Sequence, residues 1–240
     1  MGVEDRMALK KSLGKVKNFI KKRYKGNLAG LLIFGSANTG HFVEGKSDID
    51  AIILLKNKEG VNFEEEIILL SDSLKSENFT TQYFHTLQSI KDYILEGKSW
   101  GTFITIVSDD GCLVLCSSSE FEGLREWFVE NPLDKDDCIK YLCGKNKSDV
   151  NGYFKKAKGY ELTKSLMAHI RKQLQMLNFL KNGGLVYNYE DCLDNSELGS
   201  GDKDRLMVLY DKYSDREGLG RGAESYFDYI KKLNKMVQEI

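Results

Sequence analysis

Residues 28–55, LAGLLIFGSANTGHFVEGKSDIDAIILL, consist of two apolar runs separated by a small, polar segment that glycines interrupt. The first run, residues 28–34, has the length and composition of a short strand buried on both faces. The second run, residues 47–55, has the same character but carries Asp48 and Asp50 at its beginning. Because carboxylates are costly to bury, acids at the head of an inner strand indicate a specific role.

Asp48 and Asp50 lie two positions apart, so strand alternation puts both side chains on one face, with Cα atoms about 6.5 to 7 Å apart. Two carboxylates this close can bind one divalent cation or bridge a pair of cations roughly 3.5 to 4 Å apart. No arginine is adjacent to them in the sequence, so without a cation the two charges would repel one another. The spacing therefore favours a divalent-cation site, and the ions considered for it are Mg²⁺ (or Mn²⁺).

Gly35 and Ser36 follow the first strand directly. Glycine lets the backbone approach a phosphate closely, and the Ser36 hydroxyl adds a donor. A helix starting near Ala37 would turn the positive end of its dipole toward an anion. The segment thus combines phosphate donors with metal-binding carboxylates, which are the two parts that phosphoryl-transfer chemistry requires.

The segment FGSANTGHFVEGKSDIDAIILL, residues 34–55, resembles the signature of the DNA polymerase β-like nucleotidyltransferase superfamily. In that superfamily a Gly-Ser at the end of one strand precedes an Asp-x-Asp at the head of the next. The small antibiotic-modifying members and the minimal prokaryotic nucleotidyltransferases are the most similar. Each dipeptide alone is common, and the resemblance owes its specificity to their spacing and to the apolar strand beside each.

The resemblance implies transfer of a nucleoside monophosphate from a nucleoside triphosphate to a hydroxyl acceptor, with a divalent metal and release of pyrophosphate. Gly35, Ser36 and Ser47 would bind the nucleotide, and Asp48 and Asp50 would act in catalysis by holding the metal. The sequence does not indicate which NTP is used, nor whether the acceptor is a small molecule, a protein or an RNA.

Active members of the superfamily usually present a third acid from a neighbouring strand. Residues 79–87, FTTQYFHTL, are predicted to form that strand, and they contain no acid. Gln82 aligns best with the third-carboxylate position, so a neutral group stands where a charge is expected. Some antibiotic-modifying relatives take a catalytic base from a helical domain, and Glu161 is the corresponding candidate, although an exposed helix-face glutamate is its ordinary interpretation.

Residues 40–47, GHFVEGKS, also fit the P-loop pattern G-x-x-x-x-G-K-[ST]. A P-loop follows a strand immediately and opens a helix at its Ser or Thr. Here Gly40 lies beyond the end of the first strand, and Ser47 opens a strand-like run. The context therefore argues against a P-loop.

The chain is predicted to be α+β, with an N-terminal polymerase β-like nucleotidyltransferase domain at 1–143 and an all-α helical bundle domain at 144–240. The first domain would be a mixed sheet with flanking helices. Strand-like runs disappear after it, and residues 150–180 have long helical periodicity. Further helices are predicted at 4–24, 63–74, 88–96, 121–129, 203–213 and 223–240. A strand is predicted at 112–116 and a polar loop at 187–204, whereas residues 100–107 fit either a helix or a strand.

The composition is ordinary for a soluble protein, with 41% hydrophobic residues, 30% charged residues and a formal net charge of -1. No apolar run is long enough to cross a bilayer, and the charged amphipathic N-terminal helix is unlike a secretory signal, so no membrane partner and a cytoplasmic location are expected. The five cysteines form an odd set without zinc-ligand spacing, which is typical of reduced thiols.

Two alternatives to an enzyme remain open. The missing third acid favours a catalytically degenerate nucleotide-binding regulator. Minimal nucleotidyltransferases also resemble antitoxins that act with a helical protein partner, and a homodimer is a further option. Two other features are interpreted as structural. His85 is expected to be a packed residue. A basic strip in the second half is expected to be a solvated helix face and consists of Lys155, Lys156, Lys158, Lys164, Arg171 and Lys172.

Overall fold

The computed structural model describes residues 1–96, 100–131, 133–183, 185–220 and 223–240, and within these ranges it leaves out the side chains of residues 141, 145–151, 153 and 155. Contacts between Cα atoms divide the chain into two units. The first comprises Met1–Glu96 and Thr105–Pro132, and the second comprises Gly97–Ile104 and Leu133–Ile240. The division near residue 132 precedes the predicted boundary at 143, and the assignment of 1–143 and 144–240 as domains stays a prediction.

The first unit contains a mixed sheet with strand order β3-β2-β1-β4. Strand β1 is antiparallel to both of its neighbours, whereas β2 and β3 are parallel. The strands are β1 (Leu28–Phe34), β2 (Ile49–Leu55), β3 (Phe79–Thr86) and β4 (Leu113–Ser117). The two inner strands are the two apolar runs of the sequence, and their burial on both faces is confirmed.

Helices cover both faces of this sheet. On one face the buried stripe of α1, including Val16 and Ile20, shares a core with Leu31 and Ile53. On the other face, the absence of a β-carbon at Gly30 makes room for the Phe121 ring of α6. This ring lies 3.4 Å from the position that a β-carbon of residue 30 would take. The helices up to residue 130 are α1 (Val3–Arg23), α2 (Ser36–Thr39), α3 (Phe63–Ser73), α4 (Leu87–Leu95), α5 (Trp100–Val107) and α6 (Ser119–Glu130).

The second unit is helical throughout its described part. Half of the residues of its longest helix, α9, are buried. Three buried amides of α9 donate hydrogen bonds to carbonyls of other segments: Gln173 to Ile230, Gln175 to Tyr187 and Asn178 to Cys192. The helices are α7 (Lys135–Asn151), α8 (Tyr153–Lys156), α9 (Gly159–Asn182), α10 (Tyr189–Asp194), α11 (Ser200–Ser214) and α12 (Glu224–Gln238).

The α+β class, with a sheet followed by a helical region, is confirmed. Residues 100–107, which fitted either helix or strand, are helical. Helix α7 begins well before the predicted change of character, and α10 lies inside the predicted polar loop. Among the helices described here, none combines the length and apolarity that crossing a bilayer would require.

Candidate active site

Gly35 and Asp50 form the centre of the candidate site. Phe34, the last residue of β1, is opposite Asp50 in β2, so the turn after β1 meets the beginning of β2. Gly35 has φ 68° and ψ −145°, a combination that side-chain-bearing residues rarely adopt. A β-carbon at Gly35 would lie 2.7 Å from Asp50 Oδ2. The carboxylate thus lies directly against the Gly35 backbone, which only glycine permits.

Replacing Gly35 by alanine is expected to lower the free energy of unfolding by about 1 to 3 kcal/mol, because the variant must strain the backbone and displace the Asp50 carboxylate. Urea denaturation measures the stability loss. Calorimetric titration with Mn²⁺ measures the accompanying loss of metal affinity.

Gly40→Ala is the matched control for this substitution. Gly40 also has a positive φ, 82°, but a β-carbon there would meet nothing within 4 Å. Its replacement should cost only the strain of a left-handed alanine, about 1 kcal/mol, without an effect on metal affinity. If both alanine substitutions lowered the metal affinity equally, the contact between Gly35 and the Asp50 carboxylate would not be the cause of the loss.

Ser36 begins α2, a single helical turn that ends at Thr39. The carbonyl of Gly35 accepts the amides of Asn38 and Thr39, whereas the amides of Ser36 and Ala37 precede the first bond of the helix. The Ser36 side chain is partly exposed, and within the described ranges its hydroxyl has no hydrogen-bond partner. The turn therefore offers a hydroxyl and backbone amides to an anion.

Asp48 lies immediately before β2, one residue outside the strand that was predicted to begin at residue 47. Its carboxylate is partly exposed and makes no hydrogen bond or ion pair with any residue that the structure describes. Asp50 is also partly exposed. Two partly exposed carboxylates fit Mg²⁺ or Mn²⁺, since these ions often take one or two protein carboxylates and complete their coordination with water and substrate phosphates.

Gln82, which the sequence aligned best with the third-carboxylate position, contacts Asp50. Its Nε2 donates a hydrogen bond of 2.8 Å to Asp50 Oδ1. Along the β2–β3 pair, Ala51 is opposite Thr81 and Ile52 is opposite Tyr83, so Gln82 is the extra residue of an irregularity in β3. Such bulges re-aim a side chain and are common beside active sites.

The core explains why β3 is irregular at this point. Phe79 and Phe84 are both buried in the same hydrophobic cluster. Residues five apart in a regular strand point to opposite faces, so one extra residue between them is needed to bring both rings into one core. The odd spacing of these two phenylalanines was the sequence signal that could have revealed the bulge.

The side chain of β3 that contacts Asp50 is neutral. Among the described residues, no group of three His, Cys, Asp or Glu side chains could hold a metal ion. Gln82, through its amide oxygen, is therefore the neighbour of Asp50 that could add a weak, uncharged ligand.

Comparisons with known proteins agree with this geometry. The sequence model of the family described as nucleotidyltransferase domain matches residues 13–98, which include the Gly-Ser turn, Asp48, Asp50 and Gln82. Residues 13–98, a little over a third of the chain, are thus similar to a nucleotidyltransferase domain.

The fold of the whole chain also has a counterpart among solved structures. A crystal structure of spectinomycin adenyltransferase AAD(9) from Enterococcus faecialis with ATP and spectinomycin is similar over 95% of this chain and 98% of that chain. The TM-score is 0.56 and the sequence identity is 13%, so the likeness concerns the fold. No protein of curated function is significantly similar in sequence. The superfamily resemblance found in the sequence is thus supported by the family model over residues 13–98, and the structural likeness supports the fold.

Ser47 has a structural role within the nucleotidyltransferase domain. It is 1% exposed, and its hydroxyl accepts a hydrogen bond of 2.9 Å from the Val43 amide. Its carbonyl accepts one from Asn78 Nδ2. The residue closes the loop before Asp48, and the element that follows is strand β2 rather than a helix, as expected if no P-loop is present. Its contact with nucleotide stays a prediction, and the buried hydroxyl gives that prediction no support.

His85 is packed in the same domain. Its ring lies 5.4 Å from the Tyr93 ring, centroid to centroid, and 6.3 Å from Tyr83, and its Nδ1 is 3.3 Å from the Ser89 hydroxyl. Burial lowers the pKa of His85, so the ring is neutral at neutral pH. These contacts agree with its interpretation as a packed residue.

Glu161 lies outside the nucleotidyltransferase domain, in the first turn of α9 in the second unit. Its side chain is exposed. That placement is the ordinary one for a helix-face glutamate, and its role as a catalytic base stays a prediction.

Proposed function

We propose that the protein transfers a nucleoside monophosphate from an NTP to a hydroxyl of a small molecule and releases pyrophosphate. The observation that carries this proposal is the contact between the Gly35-Ser36 turn and Asp50. The turn supplies phosphate donors at the same strand end at which Asp48 and Asp50 supply carboxylates. The matching family supports the reaction class.

Ser36 and the amides of its turn would hold the β and γ phosphates, whereas Asp48 and Asp50 would hold Mg²⁺ or Mn²⁺. When bound, the metal supplies charge neutralisation between the triphosphate oxygens and the attacking group. The acceptor oxygen forms a new bond to the α-phosphorus, and the bond from that phosphorus to the pyrophosphate oxygen breaks. The hydroxyl proton passes to a base, for which Glu161 is our candidate.

A small-molecule acceptor is preferred because of the likeness to an adenyltransferase whose structure contains ATP and spectinomycin. That likeness extends over nearly the whole of both chains, including the helical unit. A protein or RNA acceptor would use the same chemistry and is an outcome of the experiment below.

Incubation of the protein with Mg²⁺ and each of the four NTPs, labelled at the α-phosphate, tests the proposal. The expected result is labelled product and pyrophosphate release that depend on an added acceptor, tested with polyhydroxylated small molecules, protein and RNA in turn. Label on protein or RNA alone would replace the small-molecule acceptor. Tight NTP binding without label transfer or pyrophosphate release would contradict an enzyme.

The second candidate is a nucleotide-binding regulator, either self-associated or bound to a helical protein partner. The observation that favours it is the neutral Gln82 hydrogen-bonded to Asp50, where a third acid is expected. This candidate predicts binding of NTP with metal but no turnover. Steady pyrophosphate release would therefore exclude it.

A further inference from the structure

A cavity with a volume of about 420 Å³ lies in the first unit and is lined by residues from α1, the turn that follows it, β1 and β4. We call it the α1–β4 cavity. Its size is within the range of small-molecule sites in proteins, about 300 to 1,000 Å³. The lining includes three lysines and three less polar residues, namely Lys17, Lys21, Lys25, Leu28, Leu115 and Cys116.

The α1–β4 cavity is remote from the candidate active site. Leu28 is the first residue of β1, whereas Gly35 follows the last residue of that strand. The strand rises about 3.3 Å per residue, so its two ends are roughly 20 Å apart. A small ligand in the cavity would therefore not contact the Gly35 turn, and the cavity is a separate site.

An irregularity in β4 contributes to this cavity. Cys116 is opposite Leu31. The next pair joins Val114 to Leu32, so Leu115 is the extra residue of a bulge. In a regular strand Leu115 and Cys116 would point to opposite faces, yet both pack against the core to which α1 contributes. The bulge thus brings two successive residues of an edge strand to the cavity, and bulges are common next to active sites.

The lysines of the α1–β4 cavity lack an acidic partner. None of the three makes a hydrogen bond or an ion pair with any residue that the structure describes. Among the described residues that line the cavity, none is acidic. Lys17 and Lys21 are four positions apart on α1, so they lie on one side of the helix, about 6 Å apart along its axis. Like charges at this spacing repel one another, and an anion between them would relieve the repulsion.

Two other basic residues of α1 are paired with acids. Lys15 Nζ lies 2.6 Å from a carboxylate oxygen of Glu77, and a guanidinium nitrogen of Arg23 lies 2.5 Å from one of Glu66. Both pairs neutralise charges of α1 at contacts with other elements of the first unit. The described lining of the α1–β4 cavity offers no such acid to its lysines.

Two features of the protein itself do not explain these lysines. The dipole of α1 favours cations in its last turn, which includes Lys21, but the effect declines before Lys17 is reached. The Cys116 thiol does not neutralise them either, because burial raises the pKa of Cys116 and the opposing influence of the two lysines is smaller. The thiol is therefore uncharged at neutral pH. Neither feature accounts for two like charges beside this cavity.

We propose that the α1–β4 cavity binds a small organic polyanion, a molecule that carries at least two phosphate or carboxylate groups on a less polar body. Lysine ammonium groups are compact charges with rotatable donors, so they accept either kind of anionic group. Two such groups roughly 6 Å apart would match Lys17 and Lys21. Leu28 and Leu115 provide apolar surface for the body of the ligand.

Binding of pyranine, an aromatic trisulfonate, to the full chain in EDTA tests this proposal by fluorescence titration. Lys17→Gln with Lys21→Gln should weaken pyranine binding by about tenfold or more, because charge-assisted contacts are lost. The matched control is Lys10→Gln with Lys11→Gln, which removes the same charge from exposed positions of α1 outside the cavity. The control should bind pyranine as the wild type does. Equal losses in the two double variants, or a wild type that does not bind pyranine, would overturn the proposal.

Thermal unfolding distinguishes a binding role of the lysines from a structural one. Without ligand, Lys17→Gln with Lys21→Gln should unfold at the same or a higher temperature than the wild type, because the substitutions relieve repulsion on α1. Pyranine should raise the unfolding temperature of the wild type and of the control, but not of this double variant. A double variant that unfolds at a lower temperature and still binds pyranine as tightly as the wild type would refute the proposal.

Displacement of pyranine identifies the chemical class of the natural ligand. ATP, fructose bisphosphate and citrate are titrated in EDTA against the wild type with bound pyranine. Displacement by ATP alone indicates a nucleotide, by fructose bisphosphate a sugar phosphate, and by citrate a polycarboxylate. Failure of all three to displace pyranine at millimolar concentration would mean that the cavity does not accept organic polyanions, contrary to the proposal.

Discussion

Replacing Asp48 and Asp50 together by asparagine is expected to weaken binding of Mg²⁺-NTP by about 100-fold or more, since even groups that only support metal ligands are worth about 10- to 100-fold in affinity. The fold should survive, because an asparagine in place of Asp50 keeps an oxygen that can accept the Gln82 hydrogen bond. Removing two neighbouring negative charges also relieves their repulsion in the absence of metal. Calorimetric titration and thermal unfolding measure the two effects.

The control is Asp72→Asn with Asp136→Asn, which removes the same charge from two exposed helix positions. This control should bind Mg²⁺-NTP as the wild type does. An unchanged titration of the Asp48 and Asp50 double variant would remove the physical basis of the proposed site.

The candidate site around Gly35 and Asp50 was largely predictable because its sequence signals are local. The bounds of β1 were predicted correctly, since a turn precedes residue 28 and Gly35 ends the apolar run. The position of Asp50 beside the Gly35 turn followed from two short strands and the superfamily resemblance. The rejection of the P-loop likewise rested on what comes before Gly40 and after Ser47.

The less predictable features depend on contacts between distant residues. The alternation expected for β3 puts Gln82 on the same face as Thr80 and Phe84. In the structure, Phe79 and Phe84 both pack in one core, and the strand is irregular at Gln82 because of this. Arg171 was predicted to lie on a solvated basic face, whereas its guanidinium carbon lies 5.1 Å from the centre of the ring of Tyr187, which lies outside α9. The helical periodicity of a sequence does not show which residues from other segments pack against the helix.

Gln82→Glu is expected to convert a neutral neighbour of Asp50 into a third acidic metal ligand. The affinity for Mn²⁺ should rise by about tenfold or more, and the rate of nucleotidyl transfer should rise by about 100-fold if the new carboxylate also accepts the acceptor proton. Turnover that appears only in this variant would identify the natural protein as the nucleotide-binding regulator. Metal titration and pyrophosphate release measure the two effects.

The same substitution should be unfavourable when metal is absent. It exchanges the 2.8 Å hydrogen bond between Gln82 Nε2 and Asp50 for repulsion between two carboxylates, which raises their pKa values. The variant should therefore be less stable than the wild type in EDTA at neutral pH, and the difference should disappear as the pH falls and the carboxylates are protonated.

Gln88→Glu is a close control for this change, because Gln88 Nε2 also donates to an aspartate, Asp92 Oδ1, at 2.7 Å on the exposed face of α4. It adds the same charge and breaks the same kind of hydrogen bond away from the metal-binding acids. If both glutamates change the Mn²⁺ affinity equally, Gln82 does not occupy the third-ligand position. A gain confined to Gln82→Glu requires that Asp50 and residue 82 share one cation, because repulsion between their carboxylates would otherwise weaken the site.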